Sequence, residues 1–239
     1  MSKPSDALNV SCLGLADVAN FALQRTDLIL DWPLLQRKGS FLFWHFFGWR
    51  GPLLAEMALR RRAVLDRGAA NIHAEFARFR DKLPERPRRI CDIGCGLGHL
   101  AIYLAEAFPV EEILLIDIEA TPHHRHNFNH EGSGYNSLAA ARNFVAANVP
   151  SSVQIETCNP QRDDWRQHLR EPFDLVVSLL SCGHHYPTET YLDLFRDAIR
   201  PGGFLLLDMR RAVAQNDLSA WFDVAEVISE DERSQRVLF

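Results

Sequence analysis

Five short apolar runs, "RICDI", "EILLID", "VQIET", "FDLVVSLL" and "GFLLLD", follow one another from Arg89 onward. Between them lie "HLAIYLAEAF", "SLAAARNFVAANV" and "TETYLDLFRDAI", whose apolar residues recur at helical spacing. Parallel strands need long crossovers, usually helical, so this alternation builds a parallel sheet covered on both faces by helices. After the fifth run, "VAEVISED" and "SQRVLF" read as a closing pair of strands, with Glu230, Asp231 and Glu232 at the turn. The expected fold class is α/β, a Rossmann-like three-layer sandwich with a mostly parallel seven-stranded sheet and an antiparallel last strand.

Residues 1–85 lack such strand signals. In "NIHAEFARFRDKL" the side chains of Ile72, Phe76, Phe79 and Leu83 recur on one helical face, and Pro84 and Pro87 then punctuate the chain. The reading is a helical N-terminal cap over residues 1–85, on the substrate side, followed by a ligand-binding domain over residues 86–239. "KGSFLFWHFFGWRGPL", from Lys38 to Leu53, brings rings that either stack on a substrate or glue the cap to its domain or to a second subunit. A homodimer through this segment is one expectation. "LRRRAVLDR" carries three arginines, Arg60 to Arg62, on a solvated helix face or facing an anionic substrate.

Charge narrows the partners. With a formal net charge of −5 and a pI near 6.1, no global positive field holds a phosphate backbone, and nucleic acid is not expected. Five cysteines show no paired ligand or disulfide spacing and read as reduced thiols. The start "MSKPSDALNVSC" lacks the basic and apolar regions of a signal peptide, and "FLFWHFFGW" is about half the length of a membrane span. A cytoplasmic protein with a small-molecule substrate and no membrane partner is expected.

The first strand runs straight into "CDIGCGLGHL", in which Asp92 precedes Gly94, Gly96 and Gly98. Ligands of an open parallel sheet sit beyond the carboxyl ends of its strands, so this turn faces the site. A dinucleotide fingerprint needs G-x-G-x-x-G, but its third glycine position is occupied by His99. G-x-G-x-G with an acid two residues upstream suits instead a ligand with an ammonium group and a sugar.

"CDIGCGLG" resembles the first motif of the class I S-adenosylmethionine-dependent methyltransferases, and the likeness continues in family order over residues 86–239. It implies S-adenosylmethionine as cofactor. Asp117, at the end of "ILLID", stands where the family binds the ribose hydroxyls, and Asn159, in "TCNPQRDDW", where an acid often meets the adenine amino group. The implied cofactor-binding set is Asp92, Gly94, Cys95, Gly96, Gly98, Asp117, Ile118, Asn159 and Ser181. Simpler readings make Cys91 and Cys95 buried small side chains, Gly202 and Gly203 a turn before a strand, and Asp174 a strand-starting residue without ligand contact.

Methyl transfer is an in-line displacement that depends on positioning, and a hydroxyl acceptor also needs a base. His184 and His185, in "SCGHHYP", fall where the family lines its active site, with Tyr186 beside them. "SLLSCGHHYPTETYLDLF" is similar to a group of sugar O-methyltransferases, which tilts the acceptor toward a hydroxyl. Alternatives are an N-methyltransferase, a protein or RNA methyltransferase, and a non-catalytic subunit of the same fold. The Asn/Asp-Pro-Pro-aromatic signature of base-methylating enzymes is replaced here by "SCGHHYP".

Between Asp117 and the next helix, expected from about Ser137, "ATPHHRHNFNHEGSGYN" is an insertion at the mouth of the cleft. His123, His126 and His130 have the spacing of a zinc-like set, but no acid or cysteine closes it and glycines follow. The expectation is a loop covering the cleft, with no metal, in which His126 is a third catalytic candidate.

Overall fold

A computed structural model describes residues 8–25, 28, 50–119, 134, 136–211, 218, 221–223 and 226–239, the side chains of 50–58 excepted. Among the described residues the N-terminal part contains the helices α1 (Leu15–Gln24) and the long α2 (Arg50–Phe79). At Arg60, with φ −126° and ψ 15°, α2 is kinked. The alternating units follow as β1 (Arg89–Ile93), α3 (His99–Ala107), β2 (Glu112–Ile116), α4 (Leu138–Ala146), β3 (Gln154–Cys158), β4 (Phe173–Ser178), α5 (Leu192–Ala198) and β5 (Ile199–Arg210). The chain then forms β6 (Glu226–Glu230) and β7 (Ser234–Leu238).

The seven strands form one sheet in the order β3-β2-β1-β4-β5-β7-β6. Pairing is parallel through β3, β2, β1, β4 and β5, whereas β7 runs antiparallel to β5 and to β6. This is the expected topology, and the closing hairpin turns at residues 231–233 between β6 and β7.

Strand alternation divides the core into two layers. Ile113 and Leu115 of β2, Leu175 and Val177 of β4 and Leu206 of β5 join the cluster that contains Phe21, Phe76, Phe79, Tyr103 and Phe144 of the helices. Leu114, Ile116, Val176, Leu205 and Leu207 point the other way, into a cluster with Leu194, Phe195 and Ala198 of α5. One face is therefore covered by α1 to α4 and the other by α5 with its neighbouring turns. Ile72, Phe76, Phe79 and Leu83 are all buried, as their spacing requires.

The N-terminal helices are tied into this body. Tyr103 of α3 donates to the Ala69 carbonyl of α2 at 2.9 Å, and Arg61 donates to the Leu13 carbonyl ahead of α1. Arg62 pairs with Asp66 one helical turn on. Arg61 and Arg62 are thus engaged within the N-terminal part itself. Asp174 accepts the Arg88 and Arg89 amides at 2.6 and 2.8 Å and meets Arg200 at 2.7 Å, which locks the start of β1 to β4.

One turn differs from its reading in the sequence. Gly202 and Gly203 lie inside β5, where the β4–β5 register jumps from Phe173↔Ile199 to Leu175↔Phe204. Gly202 takes φ +75°, so the "RPGG" segment forms a bulge within the strand rather than a turn ahead of it. The aromatic segment at 38–49 and the histidine insertion at 120–133 lie outside the described residues.

Candidate active site

Parallel β1 and β2 end side by side, with Asp92↔Leu115 and Ile93↔Ile116 in register, so the residues that follow meet at one edge. The Gly94 amide donates to the Ile116 carbonyl at 2.7 Å, and the Gly98 amide closes the turn onto Cys95 at 2.8 Å. Gly94 and Gly98 take φ +70° and +82°, where a β-carbon is strained. A methyl on Gly94 would also collide with Ser181, and one on Gly98 with Val145 of α4. The first glycine admits the loop after β4; the third admits α4 against the start of α3.

Asp117 clamps this turn. Its carboxylate accepts the Gly96 amide at 2.9 Å, the Ile118 amide at 2.8 Å and the Asn136 side-chain amide at 2.9 Å. Burial nevertheless pushes the Asp117 carboxyl up to about 6, the hydrogen bonds opposing the rise. Asp92, buried at the end of β1, is pushed up to about 7 by burial and by the nearby Asp117. Two desolvated carboxyls side by side need a cation or several donors from a ligand to ionise together.

A cavity of about 360 Å³ opens over this edge. Its wall contains Asp92, Gly94, Cys95, Gly96, Asp117, Ile118, Ser181 and His185 from the expected set. Three expected residues stand elsewhere. Gly98 serves helix packing. Asn159 is turned into its own loop, where it accepts the Gln161 amide at 3.1 Å and donates to Glu119 at 3.5 Å; Pro160 and Gln161 face the cavity instead. His184 lies against His185, ring centroids 4.7 Å apart, with Nδ1 buried and without a hydrogen-bond partner. Burial lowers its pKa. His126 and the possible metal ligands His123 and His130 lie outside the described residues.

The loop after β4 is built on Ser178, whose hydroxyl donates to the Ile93 carbonyl and accepts the Cys182 amide, both at 2.9 Å. The His184 and His185 amides donate to the Ser181 carbonyl at 3.0 and 2.8 Å, and the Ser181 and Tyr186 hydroxyls meet at 3.0 Å. Ser181 is thereby held over Gly94, with His185 beside it.

Part of the wall was not expected from the sequence: Phe21, Gln24 and Arg25 of the α1 end, Ile72 of α2, and Tyr191. The Gln24 side-chain oxygen comes within 2.7 Å of where a Gly96 β-carbon would sit. Ile72 and Tyr191 fall in helical apolar patterns of the sequence, and nothing in any of the five announced a ligand.

His99 also lines the cavity. Its ring stacks on Phe21 at 4.8 Å and packs on Phe144 at 4.9 Å, and both nitrogens are buried without a partner. Burial, and secondarily Arg25, depresses its pKa to about 3. Below the ordinary histidine value the unfolded chain takes a proton that the folded state refuses. The stability owed to this neutral ring is complete above about pH 6.5 and is lost on acidification toward about pH 3. His99→Phe removes two unpaired polar atoms and that proton linkage. It should stabilise the ligand-free protein by roughly 1–3 kcal/mol near neutrality, and by more at about pH 5 than at about pH 8. Urea denaturation at the two pH values checks this, and an equal gain at both would show that His99 is protonated in the fold.

Residues 61–233 match a family profile described as a methyltransferase domain. Among curated proteins, the chain is similar to the release factor glutamine methyltransferase of Escherichia coli (strain K12), 28% identical over 133 residues. That match covers 53% of this chain and 48% of the enzyme, so the chain spans about half the length of the curated relatives it matches. Among solved structures it is similar to magnesium protoporphyrin IX methyltransferase from Synechocystis PCC 6803 with bound SAH. That likeness has a TM-score of 0.47 and 17% identity, over 71% of this chain and 81% of that one. The pyocyanin biosynthetic protein PhzM aligns with a TM-score of 0.49 and 17% identity, over 74% of this chain and 57% of its own.

Proposed function

The chain belongs to the methyltransferase-domain family, and from that premise we propose that it is an S-adenosylmethionine-dependent methyltransferase that methylates a hydroxyl of a small molecule. The observation that carries this reading is His185, an imidazole in the wall of the same cavity as Asp92 and Asp117. When bound, S-adenosylmethionine supplies a methyl group on a positively charged sulfur. Asp92 answers the cationic amino-acid end, and Asp117 accepts the ribose hydroxyls while its other contacts hold the glycine turn. The donor set fits the cofactor: two carboxyls facing a glycine cradle that a single methyl would obstruct.

In the proposed reaction His185 would take the acceptor's hydroxyl proton as its oxygen attacks the methyl group that S-adenosylmethionine, held by Asp92 and Asp117, would supply. Leu179, Leu180, Tyr186 and Tyr191 line the cavity and help keep water away. Ser181 positions the loop. Residues 1–85 complete the substrate side in this reading, supported by Phe21, Gln24 and Arg25 in the cavity wall.

Three outcomes follow from these roles. Asp117→Ala should weaken S-adenosylmethionine binding by roughly 10- to 100-fold, as charged hydrogen bonds are lost, while circular dichroism still reports a folded protein. Unchanged affinity in calorimetry would mean that the ribose lies elsewhere. Because Asp92 is pushed up to about 7, cofactor binding must drive off its proton. Affinity is therefore expected to fall as the pH drops below about 7, by as much as tenfold per unit for each proton displaced; a flat profile from about pH 8 to 5.5 would contradict the assignment.

The acceptor is tested by labelled-methyl incorporation into panels of hydroxylated metabolites, amines and glutamine-containing peptides. Transfer to oxygen is expected, with His185→Ala lowering kcat by roughly 100-fold or more and leaving cofactor affinity in place. Transfer confined to an amine or a glutamine amide would overturn the hydroxyl reading.

A further inference from the structure

The cavity wall contains Arg25, just after α1, and Leu180, just after β4. A chain of charges joins them, Asp208 and Arg236 buried and Glu75 and Arg25 half-buried. Arg236 of β7 stands directly across from Asp208 of β5. Its guanidinium meets both carboxylate oxygens, Nε to Oδ1 at 2.6 Å and Nη2 to Oδ2 at 2.8 Å. Asp208 also accepts the Leu180 amide at 2.9 Å. On its other side Arg236 approaches Glu75 of α2 at 3.6 Å, and Glu75 pairs with Arg25. The Phe79 ring lies 5.4 Å beneath the Arg236 guanidinium.

Leu180 shows what this chain holds in place. With φ +51° it has the one positive φ of any non-glycine residue among those described. A leucine does not settle in the left-handed region unaided, and the surrounding structure must hold it there. Its amide is fixed by Asp208, and the residue after it, Ser181, lies over Gly94. Three residues further on, the Gly183 carbonyl accepts the Arg210 amide of β5 at 2.9 Å, so β5 grips the loop twice.

We propose that Arg236 is a positioning residue for methyl transfer: through Asp208 it fixes the loop that carries Ser181 and His185, and through Glu75 and Arg25 it fixes the end of α1 against the same cavity. The proposal rests on the reading of that cavity as the cofactor site. A buried ion pair is seldom a gain in stability over an apolar pair of similar volume. The same pair does confer direction, because a two-pronged guanidinium–carboxylate contact fixes orientation as well as distance. Stability and positioning can therefore be separated by experiment.

The discriminating variant is the double substitution Asp208→Leu with Arg236→Met in the full chain, which leaves no broken half of the pair behind. It should melt at or above the wild-type temperature and yet bind S-adenosylhomocysteine roughly five- to tenfold more weakly in calorimetry. Adding Leu180→Gly, which accepts a positive φ without being held, should restore part of the lost affinity. A stable double variant that binds like wild type overturns the proposal. So does a loss of affinity that simply tracks a loss of melting temperature and ignores Leu180→Gly. Asp208→Asn, which keeps the side-chain volume, should show a smaller loss of affinity at unchanged secondary structure, and an unchanged affinity there also overturns the proposal. If wild type itself fails to bind S-adenosylhomocysteine at high micromolar concentration, the cavity reading falls first and takes the proposal with it; wild-type binding with unaffected variants removes the proposal alone.

Discussion

Two carboxyls at neighbouring strand ends, Asp92 buried and Asp117 half-buried, are the constraint around which the rest of the site is arranged. Asp92 and Asp117 lie on the edge where parallel β1 and β2 stop, and burial raises both toward neutrality. Asp117 is partly compensated by the Gly96 and Ile118 amides and by Asn136. Those bonds make the carboxylate a structural part of the glycine turn as well as part of the cavity wall. Asp92 feels both its burial and the charge of Asp117, so a ligand with a positive end relieves the strain that the fold has built. The cofactor's sulfonium and ammonium groups meet that requirement, whereas a dinucleotide's pyrophosphate would add negative charge to it.

Most of this edge was legible in the sequence because it depends on local signals. Periodicity places the strands, strand ends place Asp92 and Asp117, and glycine spacing marks the turn between them. Even the start of α4 was readable, since Ser137 caps it by accepting the Ala140 amide at 3.2 Å. The directions of individual side chains were not legible, and for a common reason. His184 and His185 are adjacent, and a loop anchored through Gly183, with φ +85°, decides which of the two faces the cavity. Asn159 stands after β3 as read from the sequence, but its side chain accepts the Gln161 amide and donates to Glu119. In each case the side chain's direction depends on hydrogen bonds that no linear pattern encodes.

What could not be read at all depends on contacts distant in sequence. Phe21, Gln24 and Arg25 reach the cavity because α1 is strapped across α2 and α3, through partners such as Arg61 and His99. No pattern in the sequence singled out α1, and Phe21 is buried in the core as well as facing the cavity. His99 illustrates the same point. Its size argued against a dinucleotide turn, yet it is accommodated because Gly98, not residue 99, makes the close approach to α4. The ring then occupies space between Phe21 and Phe144, where neither nitrogen finds a partner. A buried polar group of this kind costs stability, and the fold tolerates it on the wall of a site rather than deep in a layer.

The charge chain from Arg25 to Asp208 follows the same logic at larger scale. Apolar residues at Asp208 and Arg236 would pack the β5–β7 pair at least as well, since both lie nearly out of solvent with Phe79 beside them. What they could not do is accept the Leu180 amide and keep a leucine at positive φ. Hydrophobic contact is indifferent to small rotations, while a hydrogen bond to a charged oxygen is not. A methyltransferase must bring a base, an acceptor and a methyl group into line to within a fraction of an ångström. Directional contacts buried behind the loop are a means to that end. The antiparallel strand β7, which contributes nothing to the cavity wall itself, thereby acquires a role in the chemistry through Arg236.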